Sequence, residues 1–161
     1  MVVVIMGVTG SGKTTVGKRL ADELGWQFHD ADDFHSAANK AKMHAGHPLS
    51  DDDRWPWLRA IRAAIDRDLA DGAGVVVACS ALRAVYRHVL TGGLRDAAFV
   101  LLDGDPAILA ARLAQRTEHF MNPELLQSQI DTLERPADAF VVDIALPVGK
   151  QVASIRQRFH L

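Results

Sequence analysis

Eight residues near the start of the chain limit its fold more than any other stretch: Gly7-Val8-Thr9-Gly10-Ser11-Gly12-Lys13-Thr14. They satisfy G-x-x-x-x-G-K-S/T, the phosphate-binding loop, in the strand–loop–helix context that the motif requires. The apolar run Val2–Met6 precedes them, and a helical pattern runs from Lys13 to Leu24. Glycines let the backbone curl so that successive N–H groups point at phosphate oxygens. The start of the following helix adds partial positive charge. Lys13 reaches the outer phosphates, and Thr14 offers a hydroxyl to Mg²⁺. A nucleoside triphosphate is therefore the expected ligand.

Further along, β-branched runs alternate with helical patterns. Strands are predicted at Val2–Met6, Gln27–His29, Val75–Cys79, Ala98–Leu102 and Ala139–Val142. Several are continuously apolar, as parallel strands covered on both faces are. Helices are predicted over Lys13–Leu24, Phe34–Ala45, Asp51–Ala70, Ala81–Leu90, Pro106–Gln115, Pro123–Leu133 and Lys150–Arg158. Ser50 with Asp53, Asp105 before Pro106, and Asn122 before Pro123 supply helix starts. The expected fold is a three-layer α/β domain with a mainly parallel sheet, its ligands lying beyond the carboxyl ends of the strands. With 161 residues, one domain spanning 1–161 is expected.

A formal charge of −2 gives no case for nucleic acid or an acidic membrane surface. No apolar run reaches membrane-spanning length, and no basic region precedes Val2–Met6 as in a signal peptide. The one cysteine, Cys79, excludes an intramolecular disulfide and fits a reducing cytoplasm. It is expected to be a small buried side chain.

After the second strand comes His29-Asp30-Ala31-Asp32-Asp33-Phe34-His35. In a continuing strand, Asp30 and Asp32 project to one side. A kinase needs one carboxylate near Mg²⁺ and another to accept the acceptor's hydroxyl proton. Asp33 reads as a cap for the next helix. A dedicated metal site of His29, Asp30, Asp32 and His35 is the alternative, but nucleotide-bound Mg²⁺ is simpler. The central strand Val75–Cys79 ends without a carboxylate. Asp103 ends a later strand, but Gly104-Asp105-Pro106 makes it read as a turn into a helix.

Several further blocks resemble those of the gluconate kinases. They are Asn39-Lys40-Ala41-Lys42-Met43; Pro48-Leu49-Ser50-Asp51-Asp52-Asp53-Arg54-Trp55-Pro56-Trp57-Leu58; Cys79-Ser80-Ala81-Leu82-Arg83 with Tyr86-Arg87; His119-Phe120-Met121; Ser128-Gln129 with Thr132-Leu133-Glu134; and Val141-Val142-Asp143-Ile144. With the phosphate loop and Asp30-x-Asp32 they run in family order over nearly the whole chain. Ala31, Phe34-His35-Ser36 and Glu118 depart from the family pattern without removing a charged group that the chemistry needs.

The resemblance implies transfer of the γ-phosphate of ATP to the 6-hydroxyl of D-gluconate, feeding the pentose phosphate and Entner–Doudoroff routes. It implies a nucleoside-monophosphate-kinase-like fold with five parallel strands, a lid around residues 112–135, Mg²⁺ bound with ATP, and a homodimer. ATP then falls to Gly7, Val8, Thr9, Gly10, Ser11, Gly12, Lys13, Thr14 and Thr15, with Arg112, Arg116 and Pro147. Lys13, Asp30, Asp32 and Arg116 are the catalytic candidates, Asp32 being preferred as proton acceptor and Asp30, with Thr14, as metal partner. A sugar acid needs a cation and polar groups, for which Asp32, His35, Lys42, Arg54, Arg83, Arg87 and His119 are candidates. The bland role for Arg54 is an ion pair at its helix start. Trp55, Pro56 and Trp57 read as packing. The rivals are a shikimate or nucleoside-monophosphate kinase on the same fold, and a nucleotide switch without an acceptor.

Overall fold

The computed structural model describes residues 1–115 and 123–161. Five strands form one sheet: β1 (Val2–Met6), β2 (Gln27–Asp30), β3 (Val75–Ala78), β4 (Ala97–Asp103) and β5 (Phe140–Asp143). Their order is β2-β3-β1-β4-β5, and every pairing is parallel. The helices among the described residues are α1 (Lys13–Leu24), α2 (Ala37–His44), α3 (Asp51–Ala70), α4 (Ala84–Thr91), α5 (Pro106–Ala114), α6 (Pro123–Thr132) and α7 (Val148–Phe159).

The central strand shows why the runs are continuously apolar. All five residues of β1 are buried. Val3 and Ile5 pack on one side with Val16 and Leu20 of α1 and Val152 and Ile155 of α7. Val2, Val4 and Met6 pack on the other with Leu58, Ile61 and Ile65 of α3. Alternating residues thus feed two cores, one on each face of the sheet.

The capping signals act as expected at two helices. Ser50 and Asp53 form a reciprocal capping box at the start of α3. Asp105 accepts from the Ala107 amide, with Pro106 in the first turn of α5. Asn122 lies outside the described residues.

Three starts differ from prediction. A 3-10 turn, Ala31–Phe34, intervenes before α2, whose cap is Ser36 accepting from the Asn39 amide at 3.1 Å. Asp33 therefore does not cap that helix. The helix after β3 begins at Ala84 because Ala81 holds a left-handed φ of 45°. Finally, α7 begins at Val148, directly after Pro147.

Candidate active site

The carboxyl ends of β1, β2 and β3 meet at the phosphate loop. Gly7 leaves β1 at φ 141°, and a Cβ there would stand 2.6 Å from the Leu102 carbonyl oxygen on β4. Only glycine lets the chain pass so close. Gly12 precedes α1 with no side-chain cap, so the first amides of that helix keep no side-chain acceptor. Amides left in this way are what an anion binds. Lys13 Nζ donates to the Val8 carbonyl at 3.0 Å. The Thr9 amide donates to Gln129 Oε1 of α6 at 2.7 Å.

Asp30 sits beside this loop. Its Oδ2 accepts from Thr14 Oγ1 at 2.7 Å, and its Oδ1 accepts from the Asp32 amide at 3.1 Å. The strand stops at Asp30, so Asp32 enters the site from the 3-10 turn and not by strand alternation. A hydroxyl and a carboxylate in contact at the loop suit Mg²⁺, which prefers hard oxygen ligands and retains several waters. His29 is not part of such a set: its Nε2 lies 2.6 Å from Asp68 Oδ2 on α3. Cys79, behind the loop, is fully buried, and burial pushes its thiol up to about 12. The inert role expected for it stands. At the end of β4, Asp103 is bound by Arg135 at 2.6 and 3.1 Å, which lowers its pKa. That pairing occupies the carboxylate that only superficially resembled a metal ligand.

Opposite the loop, the start of α3 faces the start of α4. Tyr86 Oη donates to Asp51 Oδ1 at 2.5 Å and accepts from Arg54 Nη1 at 3.2 Å. Arg83 Nη1 donates to Asp51 Oδ2 at 3.0 Å. Both guanidinium groups lie over the Tyr86 ring, 5.5 and 5.6 Å from its centroid. The Tyr86 hydroxyl, then the neighbouring arginines, hold Asp51 below the usual carboxylate range. Contact with Tyr86, then Asp51, raises Arg83. Arg54 also makes the expected helix-start pair with Asp51, at 3.4 Å.

The other proposed acceptor groups are placed differently. Lys42 is held by Asp53 at 2.8 and 3.0 Å. Arg87 is buried, and its Nη1 donates to the Ala81 and Leu82 carbonyls at 2.9 and 3.1 Å. It thereby fixes the left-handed loop that carries Arg83. His35 stacks on Trp57 with centroids 4.4 Å apart, and burial lowers its pKa. Trp57 Nε1 in turn donates to the Ala31 carbonyl at 2.6 Å, so this packing residue also fixes the turn bearing Asp32. His119 and Arg116 lie outside the described residues.

On the far side of the loop, Ser11, Gly12, Thr15, Arg112, Val148 and Gln151 line a cavity of about 330 Å³. Its size suits a nucleoside. Arg112 Nη2 donates to the Ile144 carbonyl at 2.7 Å and Nη1 to the Ser11 carbonyl at 3.4 Å. Pro147 stands at the entrance to α7, next to Val148 of that wall.

Sequence reasoning gave no role to Gln129 or Glu134. Gln129 and Glu134 stood in the blocks that carry the resemblance, and that was their only signal. Their contacts cross 120 and 50 positions of sequence, a separation that no local pattern encodes.

The Shikimate kinase family model matches residues 9–151. The gluconokinase of Arabidopsis thaliana is 44% identical over 164 residues, covering 94% of this chain and 87% of its own length. Among solved structures, a sugar kinase from Janibacter sp. HTCC2649 superposes with a TM-score of 0.88 at 42% identity, covering 97% of this chain and 92% of that one. A gluconokinase from Sinorhizobium meliloti 1021 gives 0.81 at 41% identity, covering 98% and 94%.

Proposed function

Given that this chain belongs to the gluconokinase family, within the wider set of kinases that the Shikimate kinase model describes, we propose that it transfers the γ-phosphate of ATP to the 6-hydroxyl of D-gluconate. The observation that carries the reading is the 2.7 Å contact between Thr14 and Asp30, because it sets Asp30, with Asp32 bonded to it, against the phosphate loop.

ATP lies with its phosphates on the Gly10–Thr14 amides and its base in the cavity beside Arg112 and Pro147. The acceptor lies between Asp32 and the Arg54–Arg83 pair, its carboxylate toward the guanidinium groups. The 6-oxygen attacks the γ-phosphorus in line as the bond from that phosphorus to the β,γ-bridging oxygen breaks. Asp32 takes the hydroxyl proton, and ADP leaves. Lys13 and the loop amides stabilise the spread negative charge. Thr14 and Asp30 would hold Mg²⁺, which when bound with ATP would neutralise phosphate charge. Lys42 and Arg87 support the acceptor wall through Asp53 and the Ala81 loop, while His35 offers its ring edge to the acceptor. Arg116 is assigned to the transferring phosphate and His119 to the acceptor, one kinase domain with a lid around 112–135 supplying the whole site.

The reaction belongs to the cytoplasm, which a single buried cysteine suits, and the active form is a homodimer, to be tested by sedimentation. Among the described residues no helix is long and apolar enough to cross a membrane.

ADP release from MgATP, measured with D-gluconate, other aldonic acids, shikimate and AMP in turn, tests the assignment. Strong stimulation by gluconate is expected. Stimulation by shikimate or AMP instead overturns the acceptor. Acceptor-independent turnover coupled to a protein partner supports a switch.

A further inference from the structure

The predicted lid span, 112–135, contains a segment that is firmly tied down. Thr9 N–H and the Val8 carbonyl belong to one peptide group, and that group is gripped from both sides. Lys13 Nζ holds its oxygen at 3.0 Å, and Gln129 Oε1 holds its N–H at 2.7 Å. Two residues past the end of α6 comes Glu134. Its Oε2 accepts from the Ala84 amide at 2.6 Å, and its own amide donates to the Leu82 carbonyl at 2.8 Å. Its Oε1 lies 3.7 Å from Arg83 Nε. Leu126 of α6 is buried in one core and Leu133, just past its end, packs on the other, so this segment touches both cores. Arg135 anchors the end of the segment on Asp103.

We propose that Gln129 and Glu134 are positioning residues that couple the nucleotide and acceptor sites through the end of α6 and the residues that follow it. Phosphates that draw Lys13 off the Val8 carbonyl release one side of the Val8–Thr9 peptide. Gln129 follows that peptide. The end of α6 and Leu133 carry the shift to Glu134, which sets Ala84 and Arg83. Nucleotide occupancy thus tunes the grip of Arg83 on an acceptor carboxylate, and linkage makes the effect reciprocal. This rests on the reading of Arg83 as an acceptor group.

The test is calorimetric titration of D-gluconate into the full chain, with and without the non-hydrolysable β,γ-imido analogue of ATP and Mg²⁺. In the wild type the nucleotide tightens gluconate binding about tenfold, within the usual range of such couplings. Gln129→Leu reduces the factor to below about twofold, a loss of most of that coupling. Glu134→Ala does the same, while Glu134→Gln, which keeps an oxygen for the Ala84 amide, restores it. Should Gln129→Leu fail to fold, the two Glu134 variants carry the test alone. Full coupling in the Leu and Ala variants, or none in the wild type, overturns the inference. A wild type that binds the nucleotide but not gluconate overturns the acceptor assignment itself, a result distinct from lost coupling.

Discussion

The phosphate loop and the proposed acceptor wall stand on the same sheet edge but are held by different forces. The loop is a backbone device. Residues 7–11 are buried, its glycines take conformations closed to other residues, and its ligand groups are amides. The acceptor wall is a side-chain device: Asp51 and Arg83 are both 41% exposed and are joined across 32 positions of sequence. A backbone device is written into a short run of sequence. A side-chain device exists only once distant elements have docked.

Mutations should separate the two. The largest effect expected is from Asp32→Asn, which stands between them: kcat falls about 10³-fold, within the range of a lost general base, with little change in ATP affinity. Near-normal turnover would remove Asp32 from that role. Lys13→Ala should cost about 10²-fold in kcat/KM for ATP, the scale of one lost charge-stabilising donor. A full effect on gluconate KM and none on ATP would reverse the comparison.

Arg83→Ala should leave ATP KM near the wild-type value and raise gluconate KM about tenfold, equivalent to about 1.4 kcal/mol. Equal losses for both substrates would instead indicate a collapse of the Asp51–Tyr86 cluster. Trp57→Phe keeps most of the packing but removes the bond to the Ala31 carbonyl. It should lower stability by about 1 kcal/mol in denaturant titration and reduce kcat by disturbing Asp32.

The smallest effect concerns pH. His35 has a folded-state pKa below its ordinary 6.5 because burial disfavours the charged ring. The unfolded chain therefore binds the proton more readily below that value, and stability falls as pH drops through 6.5 toward the folded pKa. The contribution is complete above 6.5. His35→Gln should flatten this part of the stability curve, as read by urea titration across the window. A slope unchanged by the substitution would assign it to other groups.

The parallel sheet, the position of every strand and the chemistry of the nucleotide end were legible in the chain. Apolar runs must be covered on both faces, and the Gly7–Thr14 spacing admits one loop geometry. Helix starts were legible where a cap was the only local device, as at Ser50 and Asp105. They failed at Ala31–Phe34, because strand alternation does not reveal a 3-10 turn pinned from α3 by Trp57. They failed again at Ala81, where a buried arginine holds a left-handed residue.

Sequence alone thus determined the loop, the strands that present it and the carboxylates that follow β2, because each depends on neighbours within a few residues. The tertiary structure decided which charges meet. It gave Lys42 to Asp53, Arg87 to its own loop, and Arg54 and Arg83 to Asp51 and Tyr86. It also set Gln129 on the phosphate loop. A charged or amide side chain has many partners within reach of its chemistry, and only the packing of the helices on the sheet selects one.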